Sequence, residues 1–203
     1  MEKQIDVKPE GYVTVNHDLG IFLDPEKYIP ITRLNDEGAA LLKLGLIMEN
    51  FLTVFITNVR APGTEVYIKT TGRYFLQKLE TSVALGLPVS IADALKAFNT
   101  LRNKFAHEID YVMTDEDYEV AERKVNAITR EEVNPANRFN VDGIRLMFED
   151  GVDSLVFIRN TDYATPTKQK KILRLVGTAY ILANKCAFFT LNELHRQGKL
   201  SLG

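Results

Sequence analysis

Apolar positions recur at helical rather than alternating spacing over most of the chain. Between 39 and 59, Leu41, Leu42, Leu44, Ile47, Met48, Phe51, Leu52, Phe55 and Ile56 cover most of a helical circumference, which predicts the central helix of a bundle. Asn35 is a suitable N-cap, Asp36 and Glu37 fall in the first turn where carboxylates meet the positive end of the helix dipole, and Arg60-Ala61-Pro62-Gly63 ends the element. A second helix is predicted over about 73–85, carried by Phe75, Leu76, Leu79, Val83 and Ala84, with Gly86 closing it and Pro88 following. The third opens at Ser90 as N-cap and runs to about 110. Thr114 then caps a strongly charged fourth helix that runs to about 128.

Asn134-Pro135 begins another connection. Residues 138–149 read as helix through Phe139, Ile144, Leu146 and Met147, whereas 154–159 suits either a helix or a short strand. Thr165-Pro166 has the chemistry of an N-cap and first helical residue, and a long last helix follows to about 197, ended by Gly198. Residues 1–34 differ. Tyr12-Val13-Thr14-Val15 and Ile21-Phe22-Leu23 are β-prone, and His17-Asp18-Leu19-Gly20 between them suits a turn. The expectation is therefore an N-terminal extended arm or small hairpin over 1–34, lying on its own domain or reaching a second subunit. Residues 35–203 then form an all-α bundle of about six helices.

Composition narrows the function classes. Hydrophobic residues at 45% and charged residues at 26% are those of a folded globular chain. With 25 Lys and Arg against 27 Asp and Glu, the net charge of -2 excludes a general nucleic-acid coat, so any phosphate-binding surface must be local. A single cysteine, Cys186, excludes an internal disulfide framework, and His17, His107 and His195 lack metal-ligand spacing, so neither a structural metal nor a cofactor is expected. Residues 1–9 have no signal-peptide core, and the most apolar stretch, 175–191, is short for a membrane span and holds Asn184 and Lys185. The expectation is a cytoplasmic protein without a membrane partner.

The most informative stretch is Leu101-Arg102-Asn103-Lys104-Phe105-Ala106-His107. At about 100° per residue, Ala94, Phe98, Leu101, Phe105 and Ile109 form a core stripe, with Arg102 on its flank. Asn99, Asn103 and His107 form a polar row on the other side, which core packing does not explain. Arginine with histidine suits phosphodiester cleavage without a metal. An imidazole moves protons near neutral pH, and a guanidinium holds the charge of a phosphorane-like transition state. On an ideal helix Arg102 and His107 project roughly 140° apart, so one helix does not easily aim both at one phosphorus, whereas two copies meeting across a dimer axis can. The bland alternative stays open: Asn103 and His107 can equally bond neighbouring backbone carbonyls as scaffold.

Arg102 to His107, with Asn103 directly after the arginine, resembles the R-x4-6-H signature of the HEPN superfamily. That resemblance implies a helical-bundle domain, often a metal-independent endoribonuclease of toxin–antitoxin and other defence systems, whose motif faces a dimer cleft. It implies His107 as the proton-transfer residue, Arg102 as the transition-state clamp and Asn103 as polar support. Toxin-type members often carry tyrosine two residues after the histidine; here Ile109 stands there, and the nearest tyrosine is Tyr111.

A longer similarity spans 35 to about 150. Asn35-Asp36-Glu37-Gly38-Ala39-Ala40-Leu41, Phe75-Leu76-Gln77-Lys78, Ala84-Leu85-Gly86-Leu87, the 101–107 element with Thr114-Asp115-Glu116-Asp117 after it, and Asn134-Pro135 before Arg138-Phe139 resemble ordered blocks of the mannitol operon repressor family. That family is all-α and acts in negative regulation of sugar-alcohol transport genes, without an obvious DNA-reading helix-turn-helix. Two readings follow: a homodimeric ribonuclease acting on RNA, or a non-catalytic regulator working through protein contacts. An antitoxin or a regulatory protein is the implied partner.

Two charged stretches are secondary candidates. Lys168, Lys170, Lys171 and Arg174 crowd the start of the last helix against its dipole, as an RNA-backbone site or as a solvated face. Asp115, Glu116, Asp117, Glu119 and Glu122 are a partner surface or simply dipole partners of their own helix.

Overall fold

The structure, a computed structural model, describes residues 18–135, Phe148 and 167–200, with side chains in the last segment from Lys170 onward. The expected helices at 138–149, the undecided element at 154–159, the Thr165-Pro166 cap and the β-prone run at 12–15 lie outside the described residues. Among the described residues there is no strand, and the all-α bundle is what the chain forms.

Three short turns come first: α1 (Gly20–Leu23), a 3-10 turn at Pro25–Lys27 and α2 (Ile29–Thr32). The hairpin expected here is not formed over 18–34. Leu19, Phe22 and Tyr28 are completely buried, Phe22 meets Phe51 edge to face at 5.7 Å, and Tyr180 donates to the Leu23 carbonyl at 3.0 Å. Pro25 and Pro30 each sit in the first turn of a short helical element, where a missing N–H costs nothing. Among the described residues, Phe22 is thus a large hydrophobe covering the bundle rather than a strand former.

The bundle proper is α3 (Glu37–Val59), α4 (Phe75–Ala84), α5 (Val89–His107), α6 (Asp115–Asn126), the single turn α7 (Arg130–Val133) and the 30-residue α8 (Thr167–Arg196). Helix α3 begins one residue later than expected: Asp36, not Asn35, is the cap, its carboxylate accepting the Ala39 N–H at 2.6 Å. Helix α5 instead starts earlier than expected, at Val89 with Pro88 as cap, and Ser90 donates to Glu132 at 2.8 Å. Thr114 and Asp117 form a reciprocal capping box at α6, and Thr129 and Glu132 do the same at the unforeseen α7. Gly86 and Gly198 adopt positive φ after α4 and α8, where the Leu87 and Lys199 amides reach back to Ser82 and Leu194.

Helix α8 is the central element, packed against α3, α6, α7 and the N-terminal turns. Two helices, Glu37–Val59 and Lys170–Arg196, are long and apolar enough to cross a membrane by length and composition, contrary to the expectation that the last was too short. In the bundle 83% of the apolar window of the second is buried, the pattern of a core helix. Its polar residues have internal partners: the Lys185 ammonium, 1% exposed, donates to the carbonyls of Val125 at 2.8 Å and Ile128 at 3.1 Å, at the C-terminal end of α6.

Candidate functional site

The last two turns of α5 carry the polar row. Leu101 and Phe98 anchor the helix in the core, and Phe105 lies edge to face on Tyr111 at 4.8 Å. Ile109, expected on the core stripe, is fully exposed, because the helix ends at His107 and the periodicity ends with it. Asn103 and His107 are exposed, and among the described residues neither side chain makes a hydrogen bond or ion pair. Among the described residues the scaffold alternative for these two therefore has no contact to support it.

Asn99 departs from the expected row. It is buried, and its Oδ1 accepts from Arg102 Nη1 at 3.4 Å. The Arg102 guanidinium turns away from His107 toward α3, where Nη1 lies 3.7 Å from Glu49 Oε2. No hydrogen bond joins Arg102 to His107 within the chain. The divergence expected from helix geometry is thus present, and one protomer does not assemble the pair.

The α3 surface beside Arg102 carries exposed leucines. Leu42 and Leu46 on α3 are 47% and 63% exposed, and with Gly45 and Glu49 they follow i, i+3, i+4 and i+7 spacing on one side of the helix. Gly45 lies directly beneath the Arg102 side chain, so this stripe adjoins the outer side of α5. Glu49, Gly45 and Lys78 were not among the residues expected to matter. A mid-helix glycine and a mid-helix carboxylate, Gly45 and Glu49, in an otherwise greasy helix were the available signal.

The basic cluster of the last helix is turned inward for two of its members. Arg174 makes a bidentate pair with Glu122 at 2.5 and 2.7 Å, which raises its pKa further, and its guanidinium lies 5.6 Å over the Tyr118 ring. Lys171 lies 3.6 Å from Asp115 and donates to the Met113 carbonyl at 3.4 Å. Lys170 is exposed, and the Lys168 side chain lies outside the described residues. As an RNA-binding patch the cluster is therefore reduced, because α6 places carboxylates opposite it.

The acidic run of α6 is likewise engaged. Asp117 accepts from Tyr111 at 2.5 Å, from the Thr114 amide at 2.9 Å and from Lys104 at 2.9 Å. Burial alone pushes its carboxyl up, but these donors outweigh burial and hold it well below the usual carboxylate range. Burial and the Asp117 bond together push the Tyr111 phenol up. A groove of about 700 Å³ between α5 and α6 is lined by these residues and by Lys96, Thr100 and Lys124, on the side of α5 away from Arg102. Among the described residues no cluster of three or more His, Cys, Asp or Glu side chains is arranged to hold a metal ion.

Comparison of the chain with protein-family models, with curated proteins and with solved structures finds no match.

Proposed function

We propose that the chain is a homodimeric, metal-independent endoribonuclease of HEPN type, with Arg102, Asn103 and His107 as its site. The observation that carries this reading is the unpartnered His107 and Asn103 on the same helix as a guanidinium held at one nitrogen, with the exposed Leu42 and Leu46 stripe adjoining the Arg102 side of that helix. Exposed leucines flanking Gly45, beneath Arg102, suit a surface that a second copy covers. Pairing two α5 helices there supplies what one helix lacks, an imidazole and a guanidinium converging on one phosphodiester.

In the reaction His107 accepts the proton of a ribose 2'-hydroxyl. The 2'-oxygen attacks phosphorus, and the 5'-oxygen leaves with a proton from the symmetry-related imidazole. Arg102 holds the non-bridging oxygens as their charge grows, and Asn103 orients the nucleotide. The products are a 2',3'-cyclic phosphate and a 5'-hydroxyl. A cytoplasmic location and an antitoxin-like protein partner belong to the same reading. Incubation of RNA with the protein in EDTA tests it: wild type cleaves and His107→Ala does not. Equal activity in both, or none in either, removes the enzyme.

The second reading is a non-catalytic regulator of the mannitol operon repressor kind. The observation favouring it is that Arg102 already has Glu49 and Asn99 as partners, as a structural arginine does. Under this reading His107→Ala leaves the cellular phenotype unchanged, and affinity capture recovers a transcription factor or a phosphotransfer protein.

A further inference from the structure

The Arg102 side chain reaches Glu49 by crossing α3 at Gly45. A Cβ at position 45 would stand 2.8 Å from Arg102 Cδ and 3.7 Å from its Nε, and real Cβ atoms essentially never approach another atom closer than 3.0 Å. The missing side chain is what leaves room for the arginine. At the end of the path the Glu49 carboxylate is shared. Its Oε1 accepts from Lys78 Nζ at 2.8 Å, while Oε2 stands 3.7 Å from Arg102 Nη1. Lys78 is the more deeply buried cation, its side chain 11% exposed against 28% for Arg102. A contact of 3.7 Å is an ion pair without the short geometry of a charge-assisted hydrogen bond. Both Arg102 contacts use Nη1, and among the described residues no acceptor takes the donors on Nε or Nη2.

We propose that Glu49, anchored by Lys78, is a positioning residue that holds Arg102 by one nitrogen across the gap at Gly45, leaving the Nε–Nη2 edge to take two oxygens of a phosphodiester. A guanidinium fork matches two phosphate oxygens with parallel N–H bonds. The nearer ammonium keeps Glu49 from closing fully on Arg102, so the arginine is oriented without being neutralised. The identity of the anion rests on the ribonuclease reading, whereas the clamp is a property of the folded chain.

The test uses the full chain with Gly45→Ala and Glu49→Gln, and reads two quantities. The first is the ¹⁵N resonance of the Arg102 Nε–H, assigned by its loss in Arg102→Lys. The second is kcat and KM for RNA cleavage. Gly45→Ala is the cleaner variant, since alanine is the better helix former and the backbone gains rather than loses from it. The expected result is a displaced Arg102 resonance in both variants and a kcat lowered by about ten- to a hundredfold with KM within about twofold, the signature of a misplaced group. Melting of Gly45→Ala stays at or above that of wild type. An unmoved Arg102 resonance overturns the clamp whatever the activity, and a displaced resonance with unchanged kcat overturns its positioning role. A displaced resonance in a wild-type background that cleaves no RNA keeps the clamp and discards the ribonuclease.

Discussion

Replacing Lys185 with methionine removes an ammonium from the middle of α8 while keeping most of its volume. Burial lowers the Lys185 pKa from 10.5 to about 8, a difference corresponding to about 3 kcal/mol against the charged form in the fold. Its return is the pair of hydrogen bonds to the Val125 and Ile128 carbonyls and the Phe148 ring 4.4 Å from Nζ. Methionine abolishes the burial cost but leaves two carbonyls at the end of α6 without a donor, each costing about 1–3 kcal/mol. Near neutral pH the terms largely offset, and the net change stays within about 2 kcal/mol. The pH dependence is more diagnostic. The folded pKa lies below the unfolded one, so between about pH 8 and 10.5 the unfolded chain binds more protons, and the Lys185 contribution to stability rises with pH. From about pH 7.5 to 9.5 the wild type gains about 2 kcal/mol over Lys185→Met. Cys186, whose thiol burial pushes up, titrates with the opposite sign, but it is present in both proteins and cancels in the difference. Urea unfolding of both proteins at the two pH values measures the gap. A gap that is flat, or that shrinks as pH rises, refutes the assignment of Lys185 as a buried cation capping α6.

Asp117→Asn flattens the acid limb of the stability profile. The folded carboxyl titrates below its ordinary value, so the wild-type contribution is complete above about pH 4 and is lost as pH falls further, which acid titration followed by circular dichroism detects. Lys199→Ala lowers the melting temperature, because the Lys199 ammonium donates to the Asn58, Val59 and Arg60 carbonyls at 2.8, 3.1 and 2.9 Å and so caps the end of α3; at this exposed site the loss is about 1 kcal/mol, read by calorimetry. Leu46→Glu places a charge on the exposed α3 stripe. Monomer stability changes by less than about 0.5 kcal/mol, and under the proposed homodimer light scattering finds wild type paired and this variant monomeric.

Most helices were legible from their own chemistry, although the Thr129–Glu132 capping box of α7 went unread. Thr114 with Asp117, Gly86 and Gly198 are local signals, and each ends or starts an element as read. Residues 18–34 were misread because β-branched and aromatic side chains look alike in a strand and in short turns laid over a core. Only the packing of Phe22 on Phe51 and of Tyr28 on Tyr180 distinguishes the two. Within the site, the exposure of Asn103 and His107 followed from periodicity. Asn99 did not: it is buried, and its Oδ1 accepts from the arginine one turn later. The Glu49, Lys78 and Gly45 arrangement joins positions far apart in sequence on α3 and α4 with Arg102 on α5, and no local pattern reports such a meeting.

The most direct measurement is the chemistry of the cut ends. In EDTA, wild-type protein acting on an RNA oligonucleotide should leave 2',3'-cyclic phosphate and 5'-hydroxyl termini by mass spectrometry. The same oligonucleotide with 2'-deoxyribose at the cleaved position should remain whole, as should the all-ribose oligonucleotide with His107→Ala. Cleavage of the deoxy-substituted site, termini with a 5'-phosphate, or an uncut RNA with the wild type would contradict an in-line attack driven by this imidazole and guanidinium.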